Sequence, residues 1–204
     1  MVRALRQRVQ ARPGLSTDGP LPELPPVRAW QRFVSLVLRR PTEWDSWRRG
    51  LAGEKRVGAE LDRLRRHGWH VLHSIPLAND VDLDHLLIGF SINTKYHQGR
   101  AVWVGDDSVK VDHGKLAPYA RKSRAEARRV ARVLETYCPF PVPVEPVLVF
   151  VGVADLKVVA MQLSVRVYQE RQVSALAPLS GALKPDQVEQ VYRVARHRQA
   201  WRQA

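Results

Sequence analysis

Residues 82–95 read Asp-Leu-Asp-His-Leu-Leu-Ile-Gly-Phe-Ser-Ile-Asn-Thr-Lys, and no other stretch limits the fold as tightly. Two short apolar runs, 86–88 and 90–92, flank Gly89, the one turn former between them. The pattern predicts two strands with a buried apolar middle. The segment begins with two carboxylates and ends with an amide and an ammonium. A buried strand accepts such groups only when they are paired, hydrated or metal-bound. Side chains alternate along a strand, so Asp82 and Asp84 share a face, as do Asn93, Lys95 and His97. An acidic strand end beside Asn-x-Lys can gather oxygen ligands and a cation at one point, the outline of a Mg²⁺ and phosphodiester site.

Upstream lies Gly50-Leu51-Ala52-Gly53-Glu54. Taken in order, Gly-x-x-Gly-Glu, Asp82-Leu83-Asp84-His85 and Ile92-Asn93-Thr94-Lys95 resemble the NERD (nuclease-related domain) family of the PD-(D/E)xK, restriction-endonuclease-like superfamily. The likeness runs from about Trp47 to about Ala160, and more weakly through the C-terminal helix. The chain departs from the family pattern in two ways. Asn93 stands where an acid is common, and the interval from Asp84 to Lys95 is short.

The resemblance implies an α/β fold, the restriction-endonuclease-like core: a central mixed sheet flanked by helices, with the hairpin at its heart. It also implies roles. Asp84 is the principal ligand of Mg²⁺ (or Mn²⁺), and Asn93 and the Thr94 carbonyl take the second-ligand positions. Lys95 positions the attacking water or neutralises developing charge, and Glu54 orients a water or ligand from outside the metal shell. An acid near a helix start can also simply complement the helix dipole, and that reading of Glu54 stays open. Asp82 is either a supporting partner or the replacement for the acid missing at Asn93. His85, on the strand face opposite Asp84, reads as structural, while His97 can reach a phosphate beside Lys95.

The formal net charge of +13 in 204 residues attracts polyanions at long range. Nucleic acid is the expected partner, DNA before RNA. The long helix expected over residues 116–136 turns Ala120, Ala127, Val130, Ala131 and Leu134 inward. It loads its other faces with Arg121, Lys122, Arg124, Arg128, Arg129 and Arg132, against only Glu126 and Glu135. A charged helix face is often just solvated. Here Arg121, Lys122, Arg128 and Arg129 are the expected phosphate-tracking set. The single cysteine, Cys138, allows no internal disulfide and points to a reducing, cytoplasmic setting with a buried thiol. No segment has the continuous apolar length of a membrane span.

Residues 1–26 form a basic arm and a Pro/Gly linker, 27–46 a helical extension with Trp30 and Phe33 on its apolar stripe, and 47–204 the main domain. In that domain the first helix covers 48–66, with Glu54, Val57, Leu61 and Leu64 inward. A strand over 69–75, the 82–95 hairpin, and a second hairpin around Asp106-Asp107-Ser108 follow. The continuous apolar run 147–153 predicts a central strand, and Pro185 opens the last helix, with Val188, Val191, Tyr192, Ala195 and Trp201 inward. Two further readings stay open: a binding module of the same fold that has lost cleavage, and a basic interaction protein whose arm meets an anionic membrane surface.

Overall fold

The computed structural model describes residues 43–77, 81–179 and 182–201. Helix α1 (Glu43–Leu64) leads into three strands, β1 (Val71–Leu77), β2 (Val81–Leu87) and β3 (Phe90–Tyr96). Both successive pairs are antiparallel, and Gly89 turns between β2 and β3 with φ 98°, a conformation a Cβ disfavours. The hairpin β4 (Ala101–Val104) and β5 (Val109–Val111) follows, then helix α2 (Tyr119–Glu135). Strand β6 (Glu145–Val151) returns parallel to β3, which requires the long crossover that α2 supplies. Strand β8 (Arg166–Gln169) adds parallel to β6, giving the order β1-β2-β3-β6-β8. This is the mixed sheet flanked by helices that the sequence predicts, with the hairpin at its centre.

The faces of β6 explain its unbroken apolar run. Val147, Val149 and Val151 pack with Val57, Leu61 and Leu64 of α1, while Leu148 and Phe150 join Ala120 of α2 on the other side. All five β6 residues are fully buried. Strand β7 (Asp155–Val158) leaves the central sheet and pairs with β4, so a second sheet runs β5-β4-β7. The last helix, α3 (Pro185–Ala195), starts at Pro185 as expected and buries Val191 and Ala195. Trp201 lies beyond it in a separate 3-10 turn, buried, with its indole N–H donating to the Ala195 carbonyl at 2.8 Å.

Two boundaries differ from the sequence expectation. α1 begins at Glu43 instead of residue 48, and its first turn carries Trp44 stacked on Trp47 at 4.9 Å, an i,i+3 pair that extends the helix. Pro76 lies inside β1, not in the following loop; β1 is an edge strand, where a missing N–H is tolerated. The arm 1–26, and Trp30 and Phe33 of the extension, lie outside the described residues. No described helix is long and apolar enough to cross a membrane.

α1 can lie close on β3 because Gly53 has no side chain. A Cβ there would sit 3.2 Å from Tyr96 Cδ2 and 3.5 Å from Thr94 Cγ2. Gly53→Leu therefore forces helix and strand apart, and should cost roughly 2 kcal/mol in urea unfolding. Ala52→Leu, one position away on an exposed face, should stay within about 0.5 kcal/mol of wild type.

Candidate functional site

The ladder between β2 and β3 runs Leu87↔Phe90, Leu86↔Ser91 and His85↔Ile92, and then stops. Beyond that point the Thr94 N–H donates to Asp84 Oδ2 at 2.7 Å, so a carboxylate takes the place of a strand carbonyl. Across β1 the pairs His73↔His85 and Ile75↔Leu83 set Ser74 opposite Asp84. Ser74 has φ 53°, a left-handed conformation that costs a non-glycine residue about 1–2 kcal/mol. Strain and a broken ladder thus meet at Asp84.

On β3, Asn93 and Lys95 face α2. Lys95 Nζ donates to Asn93 Oδ1 and to the Thr94 carbonyl at 3.2 Å, and lies 5.4 Å from the Tyr119 ring centroid. Asn93 Nδ2 in turn donates to Glu126 Oε2 at 3.2 Å. Glu126 is therefore not a mere counter-charge among the arginines of α2. It is the carboxylate that meets Asn93, and the position read as lacking an acid has one supplied from the next helix. Asp82, the replacement considered from the sequence, instead sits across from Pro76 on β1. Burial drives the Glu126 carboxyl up to about 8, and the charge of Asp84 adds to the rise. The Asn93 hydrogen bond and the cations of Lys95 and Arg129 pull it back only in part. A sequence signal for Glu126 existed: it stands three residues after Ser123 and four before Val130, both fully buried.

Glu54 is buried at 7 % exposure on α1. Its neighbour Gly53 lies against the Thr94 and Tyr96 side chains, on the face of β3 opposite Asn93 and Lys95. With α1 starting at Glu43, Glu54 stands about three turns inside the helix. The dipole reading therefore fails, since that effect fades within the first turn. His85 is structural, as expected: its Nδ1 lies 2.8 Å from Nδ1 of His73, whose Nε2 lies 3.0 Å from Asp62 of α1. His97 stacks against Tyr119 and Phe150. Burial first, then Lys95 and Arg100, hold its imidazole below the usual histidine range, so it is neutral near pH 7. Cys138 is buried, and that burial pushes its thiol up.

Of the α2 cations, Arg121, Lys122, Arg128 and Arg132 are exposed, and Arg129 lies half-buried within electrostatic reach of Glu126. Arg124 drops out of this stripe. It binds the Asp107 carboxylate, the Asp106 carbonyl at 2.9 Å and Ser164 Oγ at 2.8 Å. Asp106 and Asp107 are thus turn residues, as read, with Arg124 holding their hairpin to α2.

Among the described residues no three His, Cys, Asp or Glu side chains form a ready ligand cluster. The donors that do converge are Asp84, Glu126, Asn93 Oδ1 and the Thr94 carbonyl, linked through Thr94 N–H, Asn93 Nδ2 and Lys95. All are oxygens, a set that suits Mg²⁺ or Mn²⁺ and not zinc. The high Glu126 carboxyl fits the same chemistry, because two desolvated carboxyl groups share a space that one cation would neutralise.

That carboxyl makes stability depend on pH. Its folded value, about 8, exceeds the ordinary 4.5, so between those values the native state holds a proton the unfolded chain has released. The stability it contributes is complete below about pH 4.5 and is lost as pH rises toward 8. Glu126→Gln keeps the hydrogen-bonding shape and removes the titration. In metal-free buffer its Tm advantage over wild type should be small at pH 5 and grow steadily to pH 8.5. A constant difference across that range would show that Glu126 is ionised throughout.

No curated protein and no solved structure matches this chain. A family model for the nuclease-related domain matches residues 49–151, just over half the sequence and the span that holds most of α1, the signature hairpin, α2 and β6. The chain therefore belongs to the NERD, nuclease-related domain, family.

Proposed function

We propose that this protein hydrolyses nucleic-acid phosphodiesters with the help of a divalent cation, Mg²⁺ or Mn²⁺, with DNA before RNA as substrate. The observation behind the reading is the Asp84–Asn93–Glu126 arrangement with Lys95 hydrogen-bonded into it. Asp84, Glu126, Asn93 Oδ1 and the Thr94 carbonyl would hold the ion. Bound there, it supplies Lewis-acid polarisation of a phosphoryl oxygen and a more acidic water. Glu126 Oε releases its proton to become a ligand, a step that neutral pH favours once positive charge is nearby. Lys95 Nζ then turns from Asn93 and Thr94 to the scissile phosphate, where an ammonium offsets the charge that builds on the oxygens. Glu54 is assigned the orientation of a water from the α1 side. Family membership supports a nucleic-acid role in general, and the exposed Arg121, Lys122 and Arg128, with Arg129, supply a basic face on the helix that carries Glu126. The lone buried thiol suits a cytoplasmic setting.

A second reading, a binding module without cleavage, is favoured by Lys95 itself. Its ammonium already satisfies Asn93 Oδ1 and the Thr94 carbonyl, two of the four oxygens an ion would use. Calorimetric titration with Mg²⁺ separates the readings. A live site binds Mg²⁺, loses binding in Asp84→Asn, and binds about tenfold more tightly in Asn93→Asp, where one more anion faces the ion. Lys95→Met should then lower the cleavage rate on DNA by roughly a hundredfold or more while Mg²⁺ affinity holds or rises. Wild type that gives no Mg²⁺ heat and no cleavage, yet binds DNA, establishes the binding module.

The basic face has its own test. Each phosphate contact releases counterions, so the slope of log K against log salt counts them, at about −0.9 per contact on duplex. Replacing Arg121, Lys122, Arg128 and Arg129 together with Gln should flatten that slope by roughly 3. An unchanged slope would move the footprint off α2.

A further inference from the structure

The outer edge of the second sheet differs from the rest of the surface. β7 is the last strand of the β5-β4-β7 sheet, so among the described residues one side of its backbone has no partner strand. Six large apolar side chains are exposed among the described residues, and Val158, Val159, Met161 and Leu163 are four of them, all within the six positions 158–163. Met161 is 94 % exposed. An uncovered apolar strand edge is a template for pairing, and proteins that do not use one usually blunt it with charge or cover it.

Charge says what fits there. The stretch 152–164 contains one acid, Asp155, and one base, Lys157, in a chain of net charge +13. A polyanion finds no excess of cations along this edge, and repulsion between two copies of so basic a chain is weakest where the surface is neutral. Asp155 and Lys157 flank Leu156 and lie exposed, with Lys157 Nζ 3.5 Å from Asp155 Oδ2. The pattern acid–apolar–base is self-complementary under antiparallel pairing. A two-fold axis through Leu156 sets Asp155 of each copy opposite Lys157 of the other, and Leu156 opposite itself.

We propose that β7 pairs antiparallel with β7 of a second copy of this chain, joining two three-stranded sheets into one across an isologous interface. Backbone hydrogen bonds along the edge give affinity, and the Asp155–Lys157 pairs fix register. Val158 on the strand, and Val159, Met161 and Leu163 just beyond its end, supply exposed apolar area beside the paired edge. The inference stands apart from cleavage and holds for an active enzyme or a binding module alike.

Sedimentation equilibrium on the full chain, over roughly 1–200 µM, tests it. Wild type should dimerise in that range. Asp155→Lys places two lysine pairs across the axis and should weaken the dimer about tenfold, while the double variant Asp155→Lys with Lys157→Asp restores the alternation and the affinity. Met161→Lys, at a side chain almost wholly in solvent, should weaken the dimer with no change in the Tm of the monomer, read below the dimerising concentrations, and decides the matter should Asp155→Lys fail to fold. A wild type that stays monomeric throughout overturns the proposal and leaves the edge to a different protein. So does a dimer indifferent to Asp155→Lys and Met161→Lys, or one that the charge-swapped double variant does not restore.

Discussion

β3 has to be the central strand of the five-stranded sheet and also to carry an amide and an ammonium. Its backbone pairs with β2 on one side and β6 on the other, and both faces are covered by helices. The conflict is resolved along its length. From Phe90 to Ile92 the strand is apolar and fully laddered; from Asn93 onward the ladder to β2 ends and polar side chains take over. Thr94 N–H then needs an acceptor, because a buried amide left alone costs as much as a lost hydrogen bond. Asp84 supplies it. One hydrogen bond thereby closes the sheet and pins the carboxylate within electrostatic reach of Glu126.

Because that bond joins residues close in sequence, much of the site was legible before any fold was known. Gly89 between two apolar runs gives the hairpin, and alternation places Asn93 and Lys95 together. Val57, Leu61 and Leu64 mark the face of α1, and the run in β6 marks a strand buried on both sides. Glu126 was not legible in the same way. It comes from a helix that crosses over between parallel strands, so its meeting with Asn93 depends on the rotation of α2 about its axis. The apolar stripe of α2 fixes that rotation, but Glu126 lies on its shoulder, where composition alone reads an acid among arginines as charge balance. The role of Arg124 was not legible for a related reason: its partner, Asp107, sits in the tip of a hairpin whose position against α2 no local pattern encodes. Glu54 was legible as inward-facing and misplaced along the helix, since the Trp44–Trp47 stack adds turns before the expected start.

The polar network also divides labour between the two faces of the sheet. On the α1 side, His73 joins His85 to Asp62. On the α2 side, every polar group of the site bonds to another member: Asp84 to Thr94, Lys95 to Asn93 and Thr94, Asn93 to Glu126. A set so closed is satisfied without a ligand, and Lys95 is its hinge. Moving one ammonium frees two oxygens at once, so in the proposed site the side chain that completes the resting network would also govern the entry of an ion.

Charge distribution sets the order of events for such a site. The chain as a whole is strongly basic, and the outer face of α2 extends that field to the edge of the site. A polyanion is drawn to the helix over many ångströms. The last few are different: Asp84 and Glu126 are two acids in one desolvated space, and a phosphate brought against them ionised would be repelled. Burial and mutual repulsion answer this by keeping a proton on Glu126, which leaves one negative charge at the site facing one positive charge on Lys95. The resting site is therefore close to neutral while its surroundings are cationic. Were Asp84 and Glu126 to hold a divalent ion, Glu126 would have to give up that proton, and only ion and Lys95 together would make the site net positive. For the proposed nuclease, attraction by α2 and acceptance by the Asp84–Glu126 pair would then be separate requirements, and a phosphodiester that met only the first would be bound without being positioned for attack.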